Sequence, residues 1–324
     1  MNIKEEMDNC TNLLAACRNE MGKRIIGQRE MIDGLFAALI AGGHILLEGV
    51  PGLAKTLAVK SLAHITGLDF KRIQFTPDLL PADLTGTLIL NQASGNFAVR
   101  RGPVFGNVIL ADEINRAPAK VQSALLEAME EKQVTIGEKS FPLPDPFFVL
   151  ATENPIEHEG TYKLPEAELD RFLMKLLIVY PAPVEELEII KNSEKPAAPL
   201  SPILNAEALA SLRKTAESIH IDEEITKYIV SIVTATRPAA NVSRTEGIYR
   251  YVSFGASPRA SIALYKCSRI YAMFQGRQFV SPEDVKQAAF PVLRHRIVLS
   301  YEAEAEGMDT DAVISRILNH IPVP

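Results

Sequence analysis

The chain has few cysteines and no long apolar run, and each shortage excludes a class of protein. Its three cysteines, Cys10, Cys17 and Cys267, fit neither a disulfide framework nor the spacing of a metal site. Because no run of about 18 apolar residues occurs, no transmembrane helix is predicted. The N-terminus is acidic and polar where a secretory signal would be basic and then apolar. We therefore expect a cytoplasmic protein without a membrane span.

Positive charge is also scarce, which disfavours binding to polyanions. The 34 Lys and Arg residues stand against 40 Asp and Glu residues, so the formal net charge is −6. Such a balance offers no overall attraction to nucleic acid or to anionic lipid. Aromatic residues make up only 6% of the chain, and the six histidines show no metal-ligand spacing. Nucleic acid is therefore not an expected partner, and no histidine metal site is predicted.

Apolar sequence, by contrast, is plentiful enough for two domains. The chain has 324 residues, of which 47% are hydrophobic, and about 100–200 residues per domain is usual. Prolines surround one short predicted helix at 184–190, as expected of a domain boundary. These prolines are Pro181, Pro183, Pro196, Pro199 and Pro202. We predict an α/β domain at 1–182, a proline-rich linker at 183–202 and a helical domain at 203–324.

Five apolar segments of the first region have the character of buried strands. They lie at 44–48, 70–75, 108–111, 147–151 and 175–180, with helical or irregular sequence between them. Parallel strands that are covered on both faces require continuous apolar runs of this length. Alternation of strands with helices implies right-handed crossovers and a doubly wound sheet. The predicted fold class is therefore α/β, with a five-stranded parallel sheet that binds ligands at the carboxyl ends of its strands.

The last region carries no strand signal, so a small all-helical domain is predicted there. A further helix is expected at the N-terminus, over 1–22. The predicted helices of the last region lie at 205–218, 222–236, 257–275, 281–294 and 309–320.

Two insertions in the α/β region have the pattern of β-hairpins. The first pairs residues 87–90 with 97–100, and the second pairs 133–136 with 140–141. Neither hairpin is needed to close the sheet. Both are therefore candidates for moving parts or for partner contacts.

The segment between the first strand and the following helix has the pattern of a phosphate-binding loop. Gly49 and Gly52 lack a Cβ, so the backbone there can curl and point successive N–H groups at an anion. Lys55 would reach the β- and γ-phosphates, and the hydroxyl of Thr56 would ligate Mg²⁺. An Ile-Ile-Gly-Gln segment lies about 20 residues ahead, where modules of this kind often wrap the adenine. The candidate nucleotide-binding residues are Gly49, Val50, Pro51, Gly52, Leu53, Ala54, Lys55 and Thr56, with Ile26 and Gly27 for the base.

Ala54 departs from the phosphate-loop pattern, which has glycine at that position. We place Ala54 in the first helical turn, where an L-residue with negative φ fits, so its methyl group need not block the phosphate. The alternative is a glycine-containing turn before an ordinary helix. A strand before the loop, a helix after it and Lys-Thr at its end favour phosphate binding.

Polar residues follow two of the predicted strands. Asp112 and Glu113 follow the third apolar segment; the aspartate would hold Mg²⁺, and the glutamate would polarise the water that attacks the γ-phosphate. Two carboxylates at the end of a buried strand are costly without a cation, so a purely structural role is disfavoured. Asn154 follows the fourth segment and would orient the attacking water or the γ-phosphate, the alternative being a turn residue before Pro155.

One predicted helix of the last region has an arginine in its first turn. Cations are disfavoured at the N-terminus of a helix. Ser257 and Pro258 suit its N-cap and first turn, and Arg259 follows among the free N–H groups. A cation there opposes the helix dipole, so a compensating anion is expected. A bound phosphate and a surface carboxylate are both consistent with this position.

Taken together, these motifs resemble those of the AAA+ ATPases, and within them the MoxR family. The likeness covers nearly the whole chain and rests on EGVPGLAKT (48–56), LADEINRA (110–117), ATENP (151–155), LDRF (169–172) and GASPRA (255–260). Alanine at position 54 is itself usual in this family. The resemblance makes Lys55 and Thr56 the Walker A residues, Asp112 and Glu113 the Walker B pair, Asn154 sensor 1, Arg171 the arginine finger and Arg259 sensor 2.

The resemblance also implies cofactors and partners. ATP or ADP would bind with Mg²⁺, ATP would be hydrolysed, and the hairpins would be the helix-2 insert and the pre-sensor-1 hairpin of one AAA+ clade. Members of that clade typically form homo-oligomeric rings, often hexamers, that act as motors or remodelling chaperones. MoxR-like proteins are associated with von Willebrand factor A domain proteins and with maturation or metal-cofactor insertion in client enzymes. There are two alternatives. One is a DNA-processing motor, because replicative helicases use similar hairpins. The other is a non-hydrolysing nucleotide-gated scaffold.

Overall fold

The computed structural model describes residues 3–50, 52–92, 95–155, 161–238 and 247–324. Contacts divide the chain into two compact units. The first, here called the α/β unit, comprises Ala16–Arg171 and Leu176–Ala206. The second, here called the helical unit, comprises Met1–Ala15, Phe172–Lys175 and Glu207–Pro324. The predicted bounds do not anticipate that two short segments that precede residue 203, Met1–Ala15 and Phe172–Lys175, group with the helices.

Helices and strands make up most of the described residues. The α-helices are α1 (Ile3–Gly22), α2 (Arg29–Ala41), α3 (Lys55–Thr66), α4 (Pro81–Thr85), α5 (Ala119–Glu131), α6 (Glu166–Leu169), α7 (Pro183–Ser193), α8 (Ala206–Ser218), α9 (Glu223–Ala235), α10 (Pro258–Phe274), α11 (Pro282–Leu293), α12 (Tyr301–Ala305) and α13 (Thr310–His320). The β-strands are β1 (Ile45–Glu48), β2 (Phe70–Gln74), β3 (Gly86–Asn91), β4 (Asn96–Arg101), β5 (Val108–Asp112), β6 (Gln133–Ile136), β7 (Lys139–Pro142), β8 (Phe148–Glu153), β9 (Met174–Leu177), β10 (Val252–Phe254) and β11 (Val298–Leu299). Within the described ranges, no helix has both the length and the apolar character needed to cross a membrane.

A five-stranded sheet forms the core of the α/β unit, in the order β2-β5-β8-β1-β9. The central strands pair in parallel, with Ile109 opposite Val149 and Leu46 opposite Ala151. Strand β5 is buried along its whole length, and β1 and β8 are buried except at their last residues. This burial on both faces explains the continuous apolar runs from which the strands were predicted. The predicted α/β class with a five-stranded parallel sheet is confirmed, and the carboxyl ends of β1, β5 and β8 meet at one edge.

Both predicted hairpins are present as two-stranded sheets outside the main sheet. β3 pairs antiparallel with β4, and β6 pairs antiparallel with β7. The first hairpin exposes apolar side chains, among them Leu90 and Phe97, the latter 69% exposed. Residues 93 and 94, in its predicted turn, lie outside the described residues. Exposure of large apolar side chains is consistent with the predicted role in partner contacts.

The helical unit contains all five helices predicted after residue 203, each within one residue of its predicted bounds. Ser257 is the N-cap of α10, as predicted, because its hydroxyl accepts from the Arg259 N–H at 3.1 Å. The unit also holds a small antiparallel pair, β10 with β11, that the sequence does not predict. Strands of two or three residues are too short to show an alternating pattern.

The first half of α1 packs within the helical unit. The Thr11 hydroxyl donates to the Met273 carbonyl at 3.4 Å, and the Cys10 thiol donates to the Thr215 hydroxyl at 3.4 Å. These partners lie far along the chain, so local sequence does not reveal them. They explain why the N-terminal residues group with helices that follow residue 206.

Candidate nucleotide-binding and catalytic site

The predicted phosphate loop connects β1 to α3. Gly49 approaches the chain after β9 so closely that a Cβ would lie 2.9 Å from the Ile178 carbonyl oxygen. Gly52 has φ +89°, and no described residue lies within 4 Å of a Cβ built on it, so its backbone conformation rather than crowding favours glycine. Glycine is therefore favoured at both predicted positions, by close packing at Gly49 and by backbone conformation at Gly52. Pro51, a predicted loop residue, lies outside the described residues.

The conformation of Ala54 corrects one prediction. Its φ of 56° and ψ of 18° are left-handed, and it is the N-cap of α3 rather than a residue of the first turn. The expected negative φ is therefore wrong, and glycine, the usual residue of the motif, is what this conformation favours. An L-residue loses roughly 1–2 kcal/mol in the left-handed conformation because its Cβ approaches the following carbonyl oxygen. Such strain clusters at functional sites, where the surrounding structure maintains it.

Lys55 folds back over the loop. Its Nζ donates to the Gly49 carbonyl at 2.6 Å and to the Glu153 carbonyl at 3.4 Å. The ammonium group therefore lies at the carboxyl edge of β1 and β8, where an incoming phosphate could replace these carbonyls. The half-buried residues of the loop and the first turn of α3 include Val50, Leu53 and Thr56. The loop thus offers an ammonium and a hydroxyl at the start of a helix, as phosphate and Mg²⁺ binding require.

Asp112 ends β5, and both of its carboxylate oxygens accept hydrogen bonds. Oδ1 accepts from the Thr152 hydroxyl at 2.7 Å. Oδ2 accepts from the Arg72 guanidinium, at 2.6 Å from Nη2 and 3.1 Å from Nε. Arg72 lies on β2, the neighbour of β5 in the sheet. Arg72 therefore supplies the positive charge that a carboxylate at this position is expected to need. The sequence motifs do not single out Arg72.

Glu113 follows in a left-handed conformation, with φ 57° and ψ 52°. Its main-chain N–H donates to the Thr152 hydroxyl at 2.8 Å, so one side chain of β8 binds both acidic residues. Its carboxylate oxygen Oε2 accepts from Gln74 Nε2 at 2.9 Å and from Arg116 Nη1 at 3.2 Å. Thr152, Gln74 and Arg116 thus belong to the site, although the sequence motifs assign none of them a role.

Asn154 is buried directly after β8. Because β8 lies between β1 and β5, its carboxyl end falls between the phosphate loop and the acidic pair. An amide at this place can orient a water molecule or a γ-phosphate. The structure therefore brings the phosphate loop, Asp112, Glu113 and Asn154 to one edge of the sheet.

Ile26 and Gly27 lie before α2, outside the loop. Gly27 has φ +68°, and a Cβ on it would lie 2.6 Å from the carboxylate of Glu185 on α7. The side chain of Gln28 donates to the Val179 carbonyl at 2.7 Å. These contacts attach the segment to the chain that follows β9. Its predicted contact with adenine stays a prediction.

The two predicted catalytic arginines lie on different units. The Arg171 guanidinium forms an ion pair with Glu130 at 2.7 Å and donates to the Leu126 carbonyl at 3.0 Å, both on α5. Its side chain is 31% exposed. Arg259 is an exposed residue in the first turn of α10, in the helical unit. The roles of arginine finger and sensor 2 stay predictions for these residues.

Comparison with known proteins identifies the family. A family model described as "ATPase family associated with various cellular activities (AAA)" matches residues 44–174, and one described as "AAA lid domain" matches residues 248–317. "Chaperone MoxR1" of Mycobacterium tuberculosis is 46% identical over 305 residues, which are 94% of this chain and 81% of that protein. The chain belongs to the MoxR family of AAA+ ATPases.

Other relatives also match this MoxR-family chain over nearly its whole length. "Uncharacterized protein YeaC" of Bacillus subtilis is 45% identical over 96% of this chain and 95% of that protein. A crystal structure of a Cytophaga hutchinsonii protein has a TM-score of 0.90 and 49% identity, covering 99% of this chain and 97% of that one. The AAA match spans the phosphate loop, the acidic pair, Asn154 and Arg171, whereas the lid match spans Arg259.

Replacing Ala54 with glycine should raise the free energy of unfolding by about 1 kcal/mol, because glycine adopts the left-handed conformation without the steric cost. Urea denaturation followed by circular dichroism measures the change. The matched control is Ala210→Gly on the exposed side of α8, where the same substitution should cost about 1 kcal/mol. Equal losses at the two positions would show that Ala54 is not strained.

Replacing Thr152 with valine keeps the shape of the side chain but removes the hydroxyl that binds both acidic residues. The Asp112 carboxylate and the Glu113 N–H would each lose a partner, so the free energy of unfolding should fall by about 1–3 kcal/mol. Thr152→Ser keeps the hydroxyl and should lose clearly less. A valine variant as stable as the serine variant in urea denaturation would mean that this hydroxyl does not hold the acidic pair.

Proposed function

We propose that this MoxR-family ATPase binds ATP with Mg²⁺ at the edge of its sheet and hydrolyses it to ADP and phosphate. The observation that supports the proposal is the convergence of the phosphate loop, the acidic pair and Asn154 at the carboxyl ends of β1, β5 and β8. Doubly wound α/β folds bind ligands at this edge. The glycine-containing loop and the ammonium group fit phosphates, and the carboxylate and hydroxyl oxygens fit a hard divalent cation.

In this proposal the loop binds phosphate mainly through its main chain. The backbone N–H groups of the loop, other than at Pro51, which has none, and the Lys55 ammonium bind phosphate oxygens. Lys55 gives up its bonds to main-chain carbonyls and takes phosphate oxygens in their place. Thr56 and Asp112 would hold Mg²⁺. When bound, Mg²⁺ supplies positive charge that neutralises the charge developing on the phosphates.

Hydrolysis itself depends on Glu113 and Asn154. Glu113 accepts a proton from the attacking water while the water oxygen bonds to the γ-phosphorus and the bond to the β–γ bridging oxygen breaks. Asn154 orients the water or the γ-phosphate. In this structure, hydrogen bonds from Gln74 and Arg116 orient the Glu113 carboxylate.

Arg171 completes the site of a neighbouring copy in a homo-oligomeric ring, which we expect to be a hexamer. Its ion pair with Glu130 is partly exposed to solvent, and exposed ion pairs contribute little to stability. The guanidinium can therefore exchange Glu130 for the γ-phosphate of a neighbour. In related phosphoryl transfers an inserted arginine raises the rate by about 10³- to 10⁵-fold. ATP hydrolysis should thus depend on assembly.

Two further roles rest on the family resemblance and on position in the chain. Arg259, as sensor 2, responds to the state of the phosphates from the first turn of α10, and the response is a movement of the helical unit. Ile26 and Gly27 contact the adenine base.

In this proposal, hydrolysis drives chaperone-like remodelling, maturation or metal-cofactor insertion of client enzymes. The protein acts in the cytoplasm, and its partners include von Willebrand factor A domain proteins. Family membership supports this role, since a 46% identical relative is named a chaperone. The exposed apolar side chains of the β3–β4 hairpin, Leu90 and Phe97, suit contact with a protein partner. Salt-sensitive binding to DNA would instead support the alternative of a DNA-processing motor.

Arg171→Ala should bind ATP as tightly as the unchanged chain but hydrolyse it at least about 10³-fold more slowly, because the finger stabilises a neighbour's transition state. Release of phosphate, measured over a range of protein concentrations, gives the turnover of each variant. Turnover per subunit should rise with concentration in the unchanged chain. Arg171→Lys keeps the positive charge but loses the forked pair of donors of the guanidinium, so it should recover only part of the rate.

Glu113→Gln should also bind ATP and fail to hydrolyse it.

Loss of ATP affinity in an isolated Arg171→Ala subunit would contradict the assignment of the finger. A turnover independent of concentration would argue against a shared active site, unless the rings are fully assembled at the lowest concentration. Light scattering at each concentration measures that assembly. ATP binding without turnover in the unchanged chain would support the nucleotide-gated scaffold.

A further inference from the structure

The residues that follow Arg171 are held by three consecutive basic residues after α11. Phe172–Lys175 belongs to the helical unit, although the chain on either side of it belongs to the α/β unit. The basic residues 294–296, here called the 294–296 clamp, donate hydrogen bonds to three carbonyls of this segment. Because the clamp binds main-chain atoms, it fixes the path of the segment rather than one side chain.

His295 contributes one donor to the clamp. Its Nε2 lies 3.0 Å from the Phe172 carbonyl oxygen, and the residue is only 7% exposed. Burial, together with the positive charges of Arg296, Lys175 and Arg294, lowers the pKa of His295 well below its usual value. The ring is therefore neutral near pH 7, with its proton on Nε2. Its Nδ1 is buried without a hydrogen-bond partner among the described residues, so the one bond that orients the ring is the bond to Phe172.

Arg296 adds a charged, forked contact. Its Nη2 donates to the Phe172 carbonyl at 2.6 Å, and its Nη1 donates to the Leu173 carbonyl at 3.1 Å. Nη1 also donates to the carbonyl of Val292, in the last turn of α11. The residue is 8% exposed, so these charge-assisted bonds form largely away from water, where they are strong. One planar group thus ties the segment to the end of a helix.

Arg294 is the third residue of the clamp, and its guanidinium is held in place by Asp311. Its Nη1 donates to the Lys175 carbonyl at 2.9 Å. Its Nε and Nη2 donate to both oxygens of Asp311 on α13, at 2.8 Å and 2.6 Å, and this bidentate pair fixes the plane of the guanidinium. The side chains of Phe172 and Met174 are fully buried. The main chain that leaves Arg171 therefore has little freedom.

We propose that His295 and Arg296 are positioning residues for Arg171. One peptide bond joins Arg171 to Phe172, so hydrogen bonds that fix the Phe172 carbonyl set the place from which the Arg171 side chain extends. The inference rests on the proposed function, in which Arg171 completes the active site of a neighbouring copy. It adds that hydrogen bonds from the residues after α11 hold the main chain next to this finger.

The position of an arginine finger has to be accurate. A misplacement of about 1 Å at a catalytic group can cost about 10²-fold in rate. In the described state Arg171 is anchored on α5 by Glu130 and the Leu126 carbonyl, and it has to leave Glu130 in order to act. Once it does, the 294–296 clamp still defines where its main chain lies.

Rings mixed from two variants of the full chain test the proposal. One subunit type carries Arg171→Ala and keeps its phosphate loop and acidic pair, so it hydrolyses ATP only with a neighbour's finger. The other carries Glu113→Gln, which keeps Arg171 but removes its own hydrolysis. The mixture should hydrolyse ATP although neither type does so alone. His295→Leu, which removes the Nε2 donor, is then introduced into either type, with His295→Gln as the matched variant that can still donate.

His295→Leu in the Glu113→Gln subunit should lower the turnover of the mixture by about 10- to 100-fold, because it displaces the only finger present. The KM for ATP should not change, since the sites that hydrolyse belong to the other subunit. His295→Gln should retain most of the turnover. Arg296→Lys, which keeps the charge but not the fork, should give an intermediate loss and replaces the leucine variant if that variant does not fold.

The same His295→Leu substitution in the Arg171→Ala subunit has no finger to displace, so a loss there would report a purely structural effect. Equal losses in the two arrangements would overturn the proposal. An unchanged turnover for both His295→Leu and Arg296→Lys in the Glu113→Gln subunit would overturn it as well. No turnover in the mixture before these substitutions would instead overturn the shared active site on which the inference rests.

Discussion

The parallel alignment of β1, β5 and β8 is the constraint on which the site depends. Parallel strands end at the same edge of a sheet, so groups far apart in sequence arrive together there without direct pairing between them. The phosphate loop follows β1, the acidic pair ends β5, and Asn154 follows β8. The buried apolar runs that keep these strands in register therefore also position the polar groups at their ends.

Contacts beyond the sheet hold the acidic pair in one arrangement. Glu113 and Ala54 both adopt left-handed conformations, each of which costs an L-residue roughly 1–2 kcal/mol. The Thr152 hydroxyl binds the Glu113 N–H and the Asp112 side chain, so the strained residue and its neighbour share one anchor. Arg72 places a positive charge beside Asp112. Strain and charge are thus concentrated where a nucleotide would bind, as expected of a functional site.

Local sequence patterns predicted the sheet, the helices and the motif residues, because periodicity and loop motifs depend on neighbours along the chain. They could not predict the contact of Arg72 with Asp112, which exists only because β2 lies beside β5, and no local pattern reports strand order. The left-handed Ala54 was missed because the start of a helix is uncertain by a residue or two on sequence alone. The 294–296 clamp was missed because its acceptors are main-chain carbonyls, which every residue has.

The central claim is that the loop between β1 and α3 binds the phosphates of a magnesium nucleotide. Isothermal titration calorimetry of the purified, folded chain with ATP or ADP in the presence of Mg²⁺ measures this binding most directly. We expect a heat of association with both nucleotides, and an affinity for ATP at least about 10-fold weaker in Lys55→Ala. The absence of any heat of association with either nucleotide would contradict the claim.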